Sequence, residues 1–169
     1  MTKPIKRNFR AQLAGQIGEN LVVAELGRRG IVATTFAGNV PEIDILAYRS
    51  GRSLPIQVKS WRTGTIHFDI AKYIEIRFEG DTQVIEGALE PPDPDLTFVF
   101  VRIGESLGDD RFFMVPLHSL QSIMQKNHAE FLGKHGGVRP KNPQSTHTAV
   151  RLVDIVEYEG CWDLIESRL

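Results

Sequence analysis

The sequence predicts an α/β fold in which a mixed central β-sheet is flanked by helices. Three observations lead to this prediction: a helical apolar pattern at the start, a meander of apolar strands after it, and a nearly continuous apolar run at residues 96–103. A chain of 169 residues, 41% of them hydrophobic, is long enough to bury one sizeable core. We therefore expect a single domain over residues 1–169.

The start of the chain has the pattern of an amphipathic helix. From Phe9 to Arg29 apolar residues recur at three- and four-residue steps, and Gly30 follows as a stop signal. Gly15 and Gly18 interrupt this stretch, although glycine is a poor helix former. We expect either a plain packing reason for them or the close approach of another backbone, from the sheet or the substrate.

Strand patterns follow this helix. Apolar stretches bounded by turn residues predict three strands, over residues 31–36, 42–49 and 54–61. Residues 66–70 and 73–78 alternate apolar and polar side chains, so they either extend the sheet or form a lateral hairpin. The apolar run Leu96–Ile103 predicts a central buried strand, with Arg111–Val115 as its hairpin partner.

The rest of the chain predicts helices and one long loop. Pro116–Lys126 is amphipathic, with four apolar residues on one helical face. The segment Asn127–Thr146 is rich in Gly, Pro, Lys and His and is expected to be a loop of a length that is often functional. Leu152–Tyr158 and Trp162–Leu169 close the chain, the latter as a short helix.

Charge is distributed unevenly along the chain, although the formal net charge is only −1. Residues 1–79 carry 12 Lys and Arg against 7 Asp and Glu, whereas residues 80–169 carry 8 against 14. A basic first half favours the approach of a phosphate backbone, and random variation of the surface is the alternative.

Several classes of protein are excluded or disfavoured by what the sequence lacks. The five histidines and the single cysteine do not have zinc-site spacing, and no Gly-rich nucleotide-phosphate loop or Gly-Xaa-Ser-Xaa-Gly hydrolase motif occurs. The lone Cys161 allows no intramolecular disulfide, and no apolar run reaches the ~20 residues of a membrane span. We therefore expect a cytoplasmic protein.

Polar residues on two neighbouring predicted strands suggest a reactive site. Asp44 stands between two isoleucines, and Gln57 and Lys59 alternate with apolar residues on the next strand. Because side chains two positions apart share a face of a strand, an acid, an amide and a lysine are expected at one end of the sheet. Hard oxygen ligands suit Mg²⁺, so the pattern predicts a site for a divalent cation and a phosphate.

These residues resemble the motif of the PD-(D/E)XK nuclease superfamily, which includes restriction enzymes and Holliday-junction resolvases. In that family the site combines an acid on the first helix, an Asp on the second core strand and a (Glu/Asp/Gln)-Xaa-Lys on the third. Glu19, Asp44, Gln57 and Lys59 stand in the same order here. Gln57 departs from the Glu or Asp of most active members and is similar to the Gln-Xaa-Lys members of the Mrr type. The resemblance is good over roughly residues 1–60, loose beyond them, and implies a restriction-endonuclease-like core.

The resemblance implies a metal-dependent endonuclease that hydrolyses phosphodiester bonds in DNA, with Mg²⁺ or Mn²⁺ as cofactor and a homodimer as the assembly. Asp44 would be the principal metal ligand, joined by the side-chain oxygen of Gln57 and the backbone carbonyl of Val58. Lys59 would orient or deprotonate the attacking water, or stabilise developing negative charge. Glu19 would hold a second ion or a metal-bound water.

Cationic and aromatic residues immediately beyond the motif are candidates for nucleic-acid binding. They are Trp61, Arg62, Lys72 and Tyr73. We expect them to contact phosphates or to stack on an unpaired base, with a place in the core as the alternative for the two aromatic rings.

Other interpretations of the same residues stay open at this point. Asp44 and Lys59 also suit a cross-strand ion pair, and Glu19 suits a solvated helix position. Glu42, two residues before Asp44, either replaces the charge missing at Gln57 or lies at the mouth of the strand. The alternative functions are a non-catalytic DNA-binding module and a protein-interaction module on the same fold.

Overall fold

The computed structural model describes residues 7–36 and 42–169. Within these residues the chain forms, in order, α1 (Arg7–Arg28), β1 (Val32–Thr35), β2 (Ile45–Arg49), β3 (Arg52–Trp61), β4 (Ile66–Asp69), β5 (Ile74–Glu79), β6 (Thr82–Ala88), β7 (Thr97–Arg102), β8 (Arg111–Pro116), α2 (Leu117–Gly133), β9 (His147–Val150), α3 (Leu152–Ile155) and α4 (Asp163–Glu166). The structure confirms the predicted mixed α/β class, with a mixed central sheet and flanking helices.

The chain divides into two compact units. The first, called here the sheet unit, contains the residues up to 64 together with 95–116 and 156–169; the second, the hairpin unit, contains 65–94 and 117–155. The chain passes between the two units four times, so neither is a continuous stretch of sequence. The single domain over residues 1–169 stays a prediction.

The sheet unit is built on five strands in the order β1-β2-β3-β7-β8. All neighbouring pairs are antiparallel except β3 and β7, which run parallel from the pair Ile56 and Thr97 to the pair Trp61 and Arg102. β2 and β3 are joined by Ser50 and Gly51, both at positive φ, as a two-residue type I′ hairpin requires. This hairpin fixes the register that places residue 44 opposite residue 57.

Helix α1 packs on this sheet through a stripe of small and apolar residues. Its buried positions recur every four residues, at Ala14, Gly18, Val22 and Leu26. A Cβ added at Gly18 would lie 1.7 Å from the hydroxyl of Ser60 on β3, so only glycine allows this approach of the helix. Gly18 thus has a plain packing reason, because the atoms that crowd it belong to the side chains of Ser60 and Val58 and not to another backbone, whereas nothing lies within 4 Å of a Cβ at Gly15.

The last helix of the chain also belongs to the sheet unit. Trp162 and Ile165 are buried in the same core as α1, as the sequence predicts. The guanidinium of Arg29 lies 4.3 Å from the centre of the Trp162 ring and bonds both Glu25 and Glu166. These contacts connect the end of α1 to α4.

The hairpin unit contains two antiparallel strand pairs, β4 with β9 and β5 with β6, and helix α2. Of these strands, β6 and β9 were not predicted from the sequence. Helix α2 ends at Gly133, seven residues after the predicted end at Lys126, so the expected loop is wrong in its first part. The reason is that buried His128 occupies the apolar stripe of the helix just beyond Lys126 and interrupts its hydrophobic pattern.

The buried polar side chains of α2 are paired with other groups of the hairpin unit. Gln121 donates to the carbonyls of Tyr73 and Leu89, at 3.0 and 2.8 Å. His128 is fully buried, and its Nε2 lies 2.8 Å from Oε1 of Gln83. Because the Gln83 amide nitrogen donates to backbone carbonyls, its oxygen accepts from His128, which is therefore protonated on Nε2.

We expect His128 to make the stability of the protein depend on pH. Burial, and secondly the charge of Arg139, lower the pKa of His128 from 6.5 to about 4. As the pH falls below 6.5, the unfolded chain therefore takes up a proton that the folded chain does not. Stability is full above pH 6.5 and falls by about 3 kcal/mol on the way to pH 4.

Denaturant unfolding of His128→Gln across this pH range measures the effect, because the substitution removes the titrating group. The exposed His118, on the same helix, provides the matched control His118→Gln. Parallel losses of stability in wild type and His128→Gln would show that His128 is not responsible.

No helix in residues 7–36 and 42–169 combines the length and the apolar character that crossing a bilayer requires.

Candidate functional site

The candidate site lies where β2 stops pairing with β3. The ladder between these strands ends at Ile45 and Ile56, while β3 continues along β7 to Trp61. Beyond the ladder, the N–H of Asp44 still donates to the carbonyl of Ile56 at 2.9 Å. The edge of β3 after Ile56 therefore faces an opening instead of a strand.

The carboxylate of Asp44 fills this opening. Its Oδ2 accepts hydrogen bonds from the amide nitrogen of Gln57 and, at 2.8 Å, from the backbone N–H of Val58. In a strand the N–H and C=O of one residue point to the same side, so the Val58 carbonyl also faces the side that holds Asp44. The structure thus brings together three of the residues that the sequence predicts for the metal site.

Glu19 reaches the same region from helix α1. It is half-buried and directly follows Gly18, where an added Cβ would clash with Ser60 on β3. Burial, and secondly the negative charge of Asp44, raise the pKa of the Glu19 carboxyl above its usual range. The pKa of Glu19 thus depends on the charge of Asp44.

Lys59 lies on the same face of β3 as Gln57, two residues further along. It is half-buried, and its register partner on β7 is Phe100. Gln57 is only 8% exposed. The period-two pattern of the sequence therefore predicted the placement of the amide and the lysine on one strand face correctly.

The donors around Asp44 fit a divalent cation by their chemistry. Two neighbouring carboxylates repel each other, and a cation removes that repulsion. Besides the Asp44 oxygen that accepts from Gln57 and Val58, the site offers a second Asp44 oxygen, the Glu19 carboxylate and the Gln57 amide oxygen, which are all hard ligands. In the described part of the chain no three His, Cys, Asp or Glu side chains cluster around a common point. A cation here would therefore depend on two acids, an amide, a backbone carbonyl and water.

Glu42 does not lie on the strand as the sequence suggests. β2 begins at Ile45, and Glu42 is in a turn with φ of +69°, in the left-handed region that favours glycine. The strand predicted over residues 42–49 therefore begins three residues later than expected, at Ile45.

Two of the predicted nucleic-acid contacts belong to the sheet unit, at the end of β3. Trp61 is 8% exposed and packs against Phe100 and Phe113, with ring centres 6.5 and 6.1 Å away. Arg62 is exposed and donates to the carbonyl of Gly104 at 3.2 Å. The Arg62 side chain is thus accessible to solvent, whereas the Trp61 ring forms part of the core.

The other two predicted contacts belong to the hairpin unit. Lys72 is exposed at the end of a short 3₁₀ turn. Tyr73 is 9% exposed and packs edge-on against Phe68, with ring centres 6.3 Å apart. As in the sheet unit, the cation is accessible and the aromatic ring is buried.

Sequence reasoning missed two arginines near Arg62. Arg102 and Arg111 line a cavity of about 460 Å³ with it, together with Glu105 and Asp109. Arg111 is engaged by both carboxylate oxygens of Glu159, at 2.6 Å each. The sequence contained only a weak signal for Arg102, which ends the apolar strand β7. Its position beside Trp61 depends on the parallel pairing of β3 with β7, which the sequence does not show.

Comparison with solved structures finds one described as the structure of a bacterial homing endonuclease, I-Ssp6803I. The TM-score is 0.50 at 14% sequence identity, and the match covers 92% of this chain and 93% of the other. At this level of identity the likeness shows a shared fold. No protein-family model matches the sequence, and the comparison with curated proteins gives no match either.

Proposed function

We propose that this protein is a metal-dependent endonuclease that hydrolyses phosphodiester bonds in DNA, a Gln-Xaa-Lys variant of the PD-(D/E)XK superfamily. The pairing of Asp44 with the Gln57 amide and with the backbone N–H of Val58, where β2 and β3 separate, is the observation that carries this proposal. The fold shared with a protein described as a homing endonuclease supports it.

The residues of the chain have distinct tasks in this proposal. Asp44, Glu19, the Gln57 amide oxygen and the Val58 carbonyl hold Mg²⁺ or Mn²⁺. The bound cation lowers the pKa of water and stabilises negative charge on the phosphate. Lys59 orients or deprotonates the attacking water, or stabilises the charge that develops at the phosphate. Arg62 and Lys72 contact substrate phosphates.

A cleavage assay tests the proposal. The purified protein is incubated with supercoiled, linear, single-stranded and branched DNA, and with RNA, in Mg²⁺, in Mn²⁺ and in chelator. Cleavage of DNA only with metal supports the proposal and identifies the substrate. The homodimer expected for cleavage of two strands stays a prediction, which light scattering of the same sample addresses.

A non-catalytic DNA-binding module is the second candidate function. It is favoured by the amide nitrogen of Gln57, which donates to Asp44 where most active relatives of the motif would place a second carboxylate. DNA binding without metal, and without cleavage of any substrate, selects this candidate.

We expect Gln57→Glu to tighten metal binding and to destabilise the metal-free protein. The substitution replaces the hydrogen bond to Asp44 by a second carboxylate, which repels Asp44 until a cation neutralises both. The Mg²⁺ concentration at the midpoint of a thermal-shift titration should fall about tenfold. Gln12→Glu, at an exposed position on α1, is the control for added charge. Equal midpoints for wild type and Gln57→Glu contradict a cation at this position.

A further inference from the structure

An acid-free segment stands out in the acidic half of the chain. Residues 131–153 contain no Asp or Glu but four Lys and Arg and two His. Residues 80–169 as a whole carry 14 acids, so all of them lie outside this segment. The segment covers the end of α2, the following loop and β9, all in the hairpin unit.

A cavity of about 460 Å³ opens in this segment. Its lining contains no acid and includes Phe131, His135, Arg139, Lys141, Asn142 and Ser145. Cations together with amide and hydroxyl groups are the donors that proteins direct at phosphate. We call these six residues the basic pocket.

Arg139 is the central cation of the basic pocket. It is half-buried, its guanidinium lies 4.7 Å from the centre of the Phe131 ring, and its Nη1 donates to the carbonyl of His147 at 2.7 Å. Arg111 and Arg151 form ion pairs with carboxylates, but within residues 7–36 and 42–169 no carboxylate pairs with Arg139. Burial lowers the pKa of Arg139, and no acid opposes this effect. A cation that is partly desolvated in this way is compensated best by an anion from outside the chain.

Hydrogen bonds from Gln83 hold the loop that carries the basic pocket. Buried Gln83 donates through its side chain to the carbonyls of Pro143 and Ser145, and its backbone N–H donates to Gly137 at 2.9 Å. His128 fixes the orientation of the Gln83 amide by donating to its oxygen. The donors of the pocket are therefore arranged before any ligand arrives, which lowers the entropy cost of binding.

We propose that the basic pocket binds a phosphate group of the DNA backbone, at a place separate from the Asp44 site. The choice of DNA rests on the proposed function. A free phosphate ion has the same chemistry, but the positive charge extends beyond the pocket to exposed Lys134, which suits an extended polyanion.

Binding of a short fluorescein-labelled duplex, measured by anisotropy in chelator so that no cleavage occurs, tests this proposal. Arg139→Gln combined with Lys141→Gln should weaken binding about tenfold at moderate salt. The slope of log affinity against log salt should become shallower by about 0.9 for each phosphate that the variant no longer binds. The matched control is Arg52→Gln combined with Lys126→Gln, which removes the same charge from exposed positions outside the pocket. Inorganic phosphate is added as a competitor at constant ionic strength.

The outcomes separate this proposal from the proposed function. Weaker binding and a smaller slope in the pocket variant alone support the pocket, whether or not the wild type cleaves DNA. Equal affinity and slope in the two double variants overturn the pocket, even when the wild type cleaves DNA in metal. Displacement of the duplex by inorganic phosphate in the control, but not in the pocket variant, shows that the two ligands compete for the pocket and supports a backbone phosphate there. Absence of duplex binding by the wild type overturns the pocket, whereas the proposed function is decided by the cleavage assay in metal.

Discussion

Replacing Asp44 with Asn is expected to slow DNA cleavage by about a thousandfold while the fold is kept. The side chain has two tasks that this substitution separates. As an acceptor it pairs with Gln57 and with the N–H of Val58, and the oxygen of Asn accepts the same two bonds. In the proposed function its negative charge also makes it the principal metal ligand, and the substitution by Asn removes that charge.

Three measurements make this experiment decisive. Single-turnover cleavage gives the rate, thermal unfolding gives the stability, and NMR titration gives the pKa of Glu19. The pKa of Glu19 should fall in Asp44→Asn because the charge that helps to raise it is gone. Asp81→Asn, at an exposed position of the β5–β6 turn, should change none of them. Unaltered cleavage by Asp44→Asn would leave Asp44 with a structural task only and would refute the assigned site.

The second large effect concerns stability. Gly18→Ala is expected to destabilise the protein by about 3 kcal/mol, because the added Cβ would lie 1.7 Å from the hydroxyl of Ser60 and 2.8 Å from its Cβ. Helix α1 would have to move away from β3, or β3 would have to shift. Either movement also displaces Glu19, so cleavage should fall together with stability. Urea unfolding monitored by tryptophan fluorescence measures the decrease.

Two further variants show whether the contact with Ser60 is the cause. Gly15→Ala lies on the same helix with no atom within 4 Å of the added Cβ, and it should stabilise the protein by about 1 kcal/mol. Ser60→Gly introduced into Gly18→Ala removes the clashing side chain and should restore most of the stability. Similar stabilities of Gly15→Ala and Gly18→Ala would mean that α1 and β3 are not in tight contact in solution.

Much of the sheet unit follows from local patterns in the sequence. α1, β3 and β7 have clear periodicity or continuous apolar runs, and the structure places them where these patterns predict. The start of β2 could not be predicted in this way. Glu42 and Ile43 have the alternation of a strand, but the ladder begins only at Ile45, and the side chain of Asp44 occupies the place before it, which depends on tertiary structure.

The hairpin unit is less predictable for the same kind of reason. Gln121 and His128 lie on the buried face of α2, where a sequence pattern expects apolar residues. They are acceptable there because backbone carbonyls and Gln83 satisfy their donors, and those partners are 32 to 48 residues away in the chain. β6 was missed because Gln83, Glu86 and Gly87 have little strand propensity.

For the candidate site, the sequence predicted correctly which residues share a strand face but not how they are bonded. The alternation of Gln57 and Lys59 with apolar residues, together with the order of the acids along the chain, was sufficient to predict which residues share a face. The pairing of the Gln57 amide nitrogen with Asp44 depends on side-chain orientation, which no spacing in the sequence contains. The burial of Trp61 and Tyr73 likewise depends on Phe100, Phe113 and Phe68, whose proximity arises from the fold.

The parallel pairing of β3 with β7 has a consequence for the order of folding. The β2–β3 hairpin joins residues that are close in the chain, whereas Ile56 pairs with Thr97, 41 positions later. Closing a loop of that length costs entropy before any contact compensates for it, so nonlocal pairs of this kind form slowly. We expect the hairpin to belong to the folding nucleus and the β3–β7 pair to form late. Asp44 and Gln57 would then meet early in folding, before the strand that carries Arg102 has joined the sheet.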